Sequence, residues 1–143
     1  MDLSAVSTKR LDHLGIVAGI CQQIDLIGQI DARVGAMARK VSVGQAVQAM
    51  VLNALGFVGR PLYLTPEFYA NKPLDRLIGE GLEAADFNDD SLGRALDWLY
   101  RSGVTEVFAQ VSAHALAVFG IAVRFAHLDT TAFSLHGQYA VDS

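Results

Sequence analysis

From Val41 to Gly59 the chain carries no formal charge, and nothing else in it narrows the fold as much. The stretch opens on Ser42-Val43-Gly44-Gln45, the spacing of a capping box. In that motif the Ser42 hydroxyl accepts a hydrogen bond from the Gln45 backbone N–H, and the Gln45 side chain reaches back to Ser42. The helix it predicts runs to about Phe57 and is apolar on nearly every side. Such a helix must be enclosed by other elements, so the chain is expected to build a bundle around it. The stretch is also long enough to raise a membrane span. Ser42, Gln45, Gln48 and Asn53 spread polar groups along it, which favours a buried core helix.

The flanks read as further helices. Met1 to Asp12 is a polar end. Upstream of the central helix, Ile16, Ile20, Ile24, Ile27, Ile30 and Val34 recur in steps of three and four. They predict one helix from Gly15 to Val34 with a single buried stripe, stopped by Gly35. Downstream, Gly56 and Gly59-Arg60-Pro61 end the central helix. Thr65-Pro66-Glu67 then reads as a capping hydroxyl, a first-turn proline and an acid. That helix is short, because Pro73 disfavours helical backbone at Lys72, and residues 73–78 have room for one or two more turns. Gly79 to Asn88 reads as a loop. Asn88-Asp89-Asp90-Ser91 caps a helix with Leu92, Ala95, Leu96 and Leu99 on its inner face. Arg94, Asp97 and Arg101 on that helix sit at ion-pair spacing. After Gly103 comes a last helix whose Val107, Phe108, Val111, Ala115, Val118 and Phe119 are expected to be buried. Gly120 ends it, and Ile121 to Leu128 reads as a buried strand interrupted by Arg124 and His127. The expected fold class is therefore mainly α: a helical bundle over residues 1–120, then a terminal β-strand or hairpin over residues 121–143.

Composition limits the functions such a chain can serve. Net charge is −4 and no run of Lys and Arg exceeds two residues, so the chain lacks the overall basic character of a nucleic-acid-binding domain, although a small local patch is compatible with it. The 52% apolar share leaves apolar surface for a partner or for another part of the same protein. The single cysteine, Cys21, cannot form an internal disulfide, which fits a cytoplasmic protein with a small buried thiol. Asp129 is the first candidate for chemistry. A carboxylate at a strand end can hold a hard divalent cation, but two-cation phosphoryl transfer needs several acids, and only Asp142 follows. His127, Asp129 and His136 form a second candidate set, for a transition metal. Thr130 and Thr131 would support Asp129. Asn88 to Arg94 lacks the spaced acids of a calcium loop and reads as a helix cap. Tyr63, Phe68, Tyr69, Trp98 and Tyr100 read as packing residues and not as a base-stacking platform, for want of neighbouring basic residues in sequence.

Three stretches taken together resemble the amino-terminal part of an insertion-sequence transposase of the DDE type, in the IS-four-like group. They are Gly59-Arg-Pro-Leu-Tyr-Leu64 with Phe68, Asn88-Asp-Asp-Ser-Leu-Gly-Arg94 with Leu96-Asp97, and His127-Leu-Asp-Thr-Thr131 with Gly137 and Tyr139. The resemblance implies a helical amino-terminal domain followed by the start of an RNase H-like catalytic domain. It also implies Asp129 as the first of three metal-binding catalytic acids, Mg²⁺ as cofactor and DNA as partner. In that family the other two acids lie further along, so this chain is expected to be a fragment with no cleavage activity of its own. Two rival readings stay open: a non-enzymatic helical module for DNA binding or dimerisation, and a small metallohydrolase using His127, Asp129 and His136. A homo-oligomer is expected; a membrane partner is not.

Overall fold

The capping box forms as predicted. In the computed structural model, which describes residues 8–35, 39–56 and 61–124, the Gln45 N–H donates to Ser42 Oγ at 3.1 Å and the Ser42 N–H to Gln45 Oε1 at 2.9 Å. The helix that follows, α3 (Val43–Ala54), is the centre of the molecule. Around it lie α1 (Leu14–Gln23), α2 (Leu26–Val34), α4 (Thr65–Tyr69), α5 (Leu74–Leu77), α6 (Asp89–Arg101) and α7 (Val104–Val118). Helix α3 packs against α1, α2, α4 and α6. Its Ala46, Ala49 and Leu52 are buried, as are Gln48 and Asn53. Small side chains there let the neighbouring helices come close, and the polar ones are tied. Gln48 Nε2 donates to the Leu77 carbonyl at 2.6 Å, and the Tyr69 hydroxyl donates to the Ala49 carbonyl at 2.8 Å.

The helix expected from Gly15 to Val34 is two helices. Asp25 adopts φ 47°, ψ 44°, a left-handed conformation that ends α1 and restarts the chain as α2. Its carboxylate lies over Gly28, where a β-carbon would collide with it. The break also changes which face is buried. Leu14, Ala18 and Cys21 point into the core, whereas Ile16 is 70% exposed and Ile20 46%. The two rows differ by two residues, roughly 200° around a helix of 3.6 residues per turn. Both rows are apolar, and the smaller side chains of Ala18 and Cys21 take the inner place. Helix α2 crosses α3 at Gly44, whose N–H donates to Asp31 Oδ1 at 2.7 Å.

Packing overrides several other local patterns. Thr65 does not cap α4: it lies inside the helix, is fully buried, and its hydroxyl has no hydrogen-bond partner. A 3-10 helix, Leu62–Leu64, precedes α4. The stretch expected to be a loop, residues 79–88, contains a second 3-10 helix, Ala84–Phe87, and Phe87 is fully buried against Tyr69, with ring centroids 5.5 Å apart. Among the predicted inner residues of α7, Val107 is buried, but Phe108 is 72% exposed and Val118 and Phe119 are also exposed. Helix α7 meets α2 through Gln110, whose Nε2 reaches Gln29 Oε1 at 3.0 Å. All regular structure among the described residues is helical. Gly120, at φ 61°, ends α7, and residues 121–124 leave it without regular structure and exposed. The strand or hairpin expected beyond them falls on residues 125–143, outside the described residues.

Candidate nucleic-acid interface

Helix α6 begins at Asn88, whose side chain accepts from the Ser91 N–H at 2.9 Å. The Asn88 to Arg94 stretch is thus a helix start, as its composition implies. The inner face of α6, Leu92 and Ala95, packs on α3. This leaves Arg94, Trp98 and Arg101 along one side. The turn before α3 brings Arg39 and Lys40 to the same place. Arg39, Lys40 and Arg94 line one groove of about 310 Å³ together with Asn88 and Ser91.

Trp98 is the centre of this surface. The Arg39 guanidinium lies 5.6 Å from its ring centroid and the Arg101 guanidinium 5.2 Å, both within cation–π range. Arg33 joins from α2, its Nε donating to the Ser102 carbonyl at 3.4 Å. Five of the chain's eleven cationic residues are gathered here: Arg33, Arg39, Lys40, Arg94 and Arg101. Two are already matched by acids. Lys40 Nζ is 2.8 Å from Asp86 Oδ2, and Arg94 reaches Asp90 at 3.7 Å, one turn back. Burial alone would raise the Asp86 carboxyl. The Lys40 ammonium and the Glu83 N–H outweigh it and hold that carboxyl below its ordinary value. Trp98 packs against the core and two guanidinium groups lie over its ring, so what the surface offers a partner is guanidinium groups suited to contacts with phosphate.

The expected packing role of Trp98 holds, since it is partly buried against the core, but it also has a basic setting, with two guanidinium groups over its ring. Arg39 is far from Trp98 in the chain and comes close only through packing of the turn before α3 against α6. Arg94 and Arg101, spaced around Trp98 on the same helix, are the signal present in sequence, and their spacing to Asp97 masks it by suggesting ion pairs instead.

The other sequence candidates separate cleanly. Asp129, His127, His136, Thr130, Thr131 and Asp142 all lie outside the described residues. Among the described residues no group of three or more His, Cys, Asp or Glu could hold a metal ion. Cys21 is buried beside a cleft of about 300 Å³ between α1 and α5, and burial pushes its thiol up. That makes it a poor nucleophile and a structural residue. Tyr69 is a core residue, while Tyr63 and Tyr100 are exposed. Among the described residues no helix is long and apolar enough to cross a membrane.

No curated protein and no solved structure matches the chain. Residues 6–113 match a family described as Domain of unknown function (DUF4277). The match takes in α1 to α6 and the first turns of α7, including every residue of the Trp98 surface, and the chain belongs to that family.

Proposed function

We propose that the chain is the amino-terminal part of a metal-dependent DNA transposase, and that its helical domain contacts DNA through the Trp98 surface. The observation that supports this most is the pair of guanidinium groups, Arg39 and Arg101, at Trp98, next to the groove lined by Arg39, Lys40 and Arg94, in a chain of net charge −4. Lys40 and Arg94 are matched by Asp86 and Asp90; Arg39 and Arg101 at Trp98 are the cations that this reading sets against DNA phosphate. The reaction class comes from the resemblance carried by His127-Leu-Asp-Thr-Thr131. In this reading Asp129 is one of three carboxylates that hold Mg²⁺, which when bound supplies activation of the attacking oxygen. One carboxylate cannot hold such cations against their hydration, so this reading requires further acids beside Asp129. The same surface also suits a non-enzymatic DNA-binding module.

Two measurements test the proposal. Fluorescence anisotropy with a duplex oligonucleotide should give salt-dependent binding. The Arg39→Ala/Arg101→Ala variant should weaken it and lower the log–log salt slope by about 1–2, since each arginine that neutralises a phosphate adds about one to that slope. In the reading frame extended to its remaining acids, Asp129→Ala should abolish plasmid cleavage in Mn²⁺ and leave DNA affinity unchanged. Equal binding by wild type and the arginine variant would remove the Trp98 surface from the account. DNA binding with no cleavage in any extended chain would leave the non-enzymatic module.

A further inference from the structure

The basic groove beside Trp98 already holds an anion of its own. Asp86 lines it together with Arg39, Lys40 and Arg94. One carboxylate oxygen, Oδ2, accepts from the Lys40 ammonium at 2.8 Å and from the Glu83 N–H at 2.7 Å. The bond to Glu83 fixes the bond to Lys40. Asp86 belongs to the 3-10 helix Ala84–Phe87, its own N–H donates to the Glu83 carbonyl at 3.0 Å, and the next residue, Phe87, is fully buried. The Asp86 side chain is only 17% exposed, so the carboxylate is set in the wall of the groove and is not a freely swinging surface acid. Asp90, the acid that reaches Arg94, is held differently. Its side chain is 82% exposed, that of Arg94 is 59% exposed, and the two are 3.7 Å apart. Such a pair is screened by salt and worth little, so a phosphate can take the place of Asp90. It cannot take the place of Asp86 without breaking the contacts to Glu83.

We propose that Asp86 is a built-in counter-anion, which withholds Lys40 from a polyanionic partner and holds down the affinity of the groove for DNA. This inference rests on the reading of the groove as a DNA contact. Polyanion binding is driven by cations that neutralise phosphates and release the counterions condensed on them. Lys40 and Asp86 together carry no net charge, so a phosphate that approaches Lys40 gains little and meets a fixed carboxylate 2.8 Å from the ammonium. The contact is a standing mask and not a gate, because backbone bonds hold its acidic half in place. A pair that only tied the turn before α3 to the 3-10 helix would register in stability and leave DNA affinity alone.

The test is fluorescence anisotropy with a duplex oligonucleotide on the 143-residue chain. In Asp86→Asn the amide keeps an oxygen for the Glu83 N–H, so the circular dichroism should match wild type. Its log–log salt slope should steepen by about 1, and binding should tighten about five- to tenfold at about 0.1 M salt, the gain of one released cation. Adding Lys40→Gln should return both to the wild-type values. Asp75→Asn is the control for net charge. It also removes one acid from beside an arginine, Arg76 at 3.6 Å, but on the α1–α5 cleft, and it should bind as wild type does. Binding that weakens in Arg39→Ala/Arg101→Ala yet is unchanged in Asp86→Asn would overturn this inference and leave the DNA reading standing. An equal gain in Asp75→Asn, or a gain that survives Lys40→Gln, would overturn it as well. No binding by wild type or by Asp86→Asn would remove the DNA reading and this inference together.

Discussion

Gly44→Ala probes the tightest crossing in the bundle. A β-carbon built on Gly44 would stand 2.5 Å from the Ile27 carbonyl oxygen and 2.8 Å from Ile27 Cα, against a comfortable separation of ~3.5–4.0 Å. Both atoms are backbone, so no side-chain rotation relieves the clash, and α2 and α3 must move apart by about 1 Å. Forcing an extra methyl into packed structure costs ~1–3 kcal/mol. The movement also stretches the 2.7 Å bond from the Gly44 N–H to the Asp31 carboxylate, a class of bond worth ~1.5–3 kcal/mol when broken entirely. Against this, alanine gains up to ~1 kcal/mol of helix propensity over glycine. The net expectation is destabilisation of about 2 kcal/mol, or a melting temperature lower by roughly 5–8 °C. Gly93→Ala is the matched control. Gly93 is inside α6, and a β-carbon there meets nothing within 4 Å, so the propensity gain should appear alone and raise stability by ~0.5–1 kcal/mol. Thermal and urea unfolding followed by circular dichroism reads both. A Gly44→Ala protein that melts with or above wild type would refute the close α2–α3 crossing.

Three further outcomes are expected. Tyr69→Phe removes the hydroxyl that donates to the Ala49 carbonyl; it should cost about 1 kcal/mol in urea unfolding, and no measurable change would mean that the bond does not form. Leu52→Asp places an unpaired charge at a fully buried position; it should abolish cooperative melting, and a sharp thermal transition would contradict the central place of α3. Asp86 and Asp12 are both held below the ordinary carboxylate value of 3.8, Asp86 by Lys40 against its own burial and Asp12 by Lys72. Groups depressed in the folded state contribute stability that is complete above pH 3.8 and is lost as pH falls through their folded values. The melting temperature should therefore hold on mild acidification and fall below about pH 4, and Asp86→Asn should flatten that fall.

Local chemistry is the legible part of this sequence. The Ser42–Gln45 box and the Asn88 cap are each fixed by residues three apart, so their patterns carry nearly all the information the structure uses. The central position of α3 follows from the absence of charge. Where sequence and structure differ, the deciding partners lie far away in the chain. Both sides of α1 are apolar, and only the α3 and α5 surfaces choose Leu14, Ala18 and Cys21 over Ile16 and Ile20. Phe87 sits among acids and small residues that look like loop, yet it fills the space beside Tyr69. The α7 residues have the spacing of a buried face, yet α2 takes up Val107 and leaves Phe108, Val118 and Phe119 exposed. The Trp98 surface needs Arg39 and Arg101 on one ring, a meeting of the turn before α3 with α6.

The brevity of α4 and α5 has a consequence in time. Thr65–Tyr69 and Leu74–Leu77 are five and four residues long, far below the ~12–15 residues at which an isolated helix begins to hold. They exist because the Tyr69 hydroxyl is fastened to the Ala49 carbonyl and the Leu77 carbonyl to Gln48, and α3 supplies both anchors. Residues 61–88 therefore depend on tertiary contacts with α3, α1 and one another, and are expected to open as a unit. In native-state hydrogen exchange their amides should open together, at a lower free energy than those of α3. A protease that samples such openings should make its first cut within that span, with the rest of the bundle still folded.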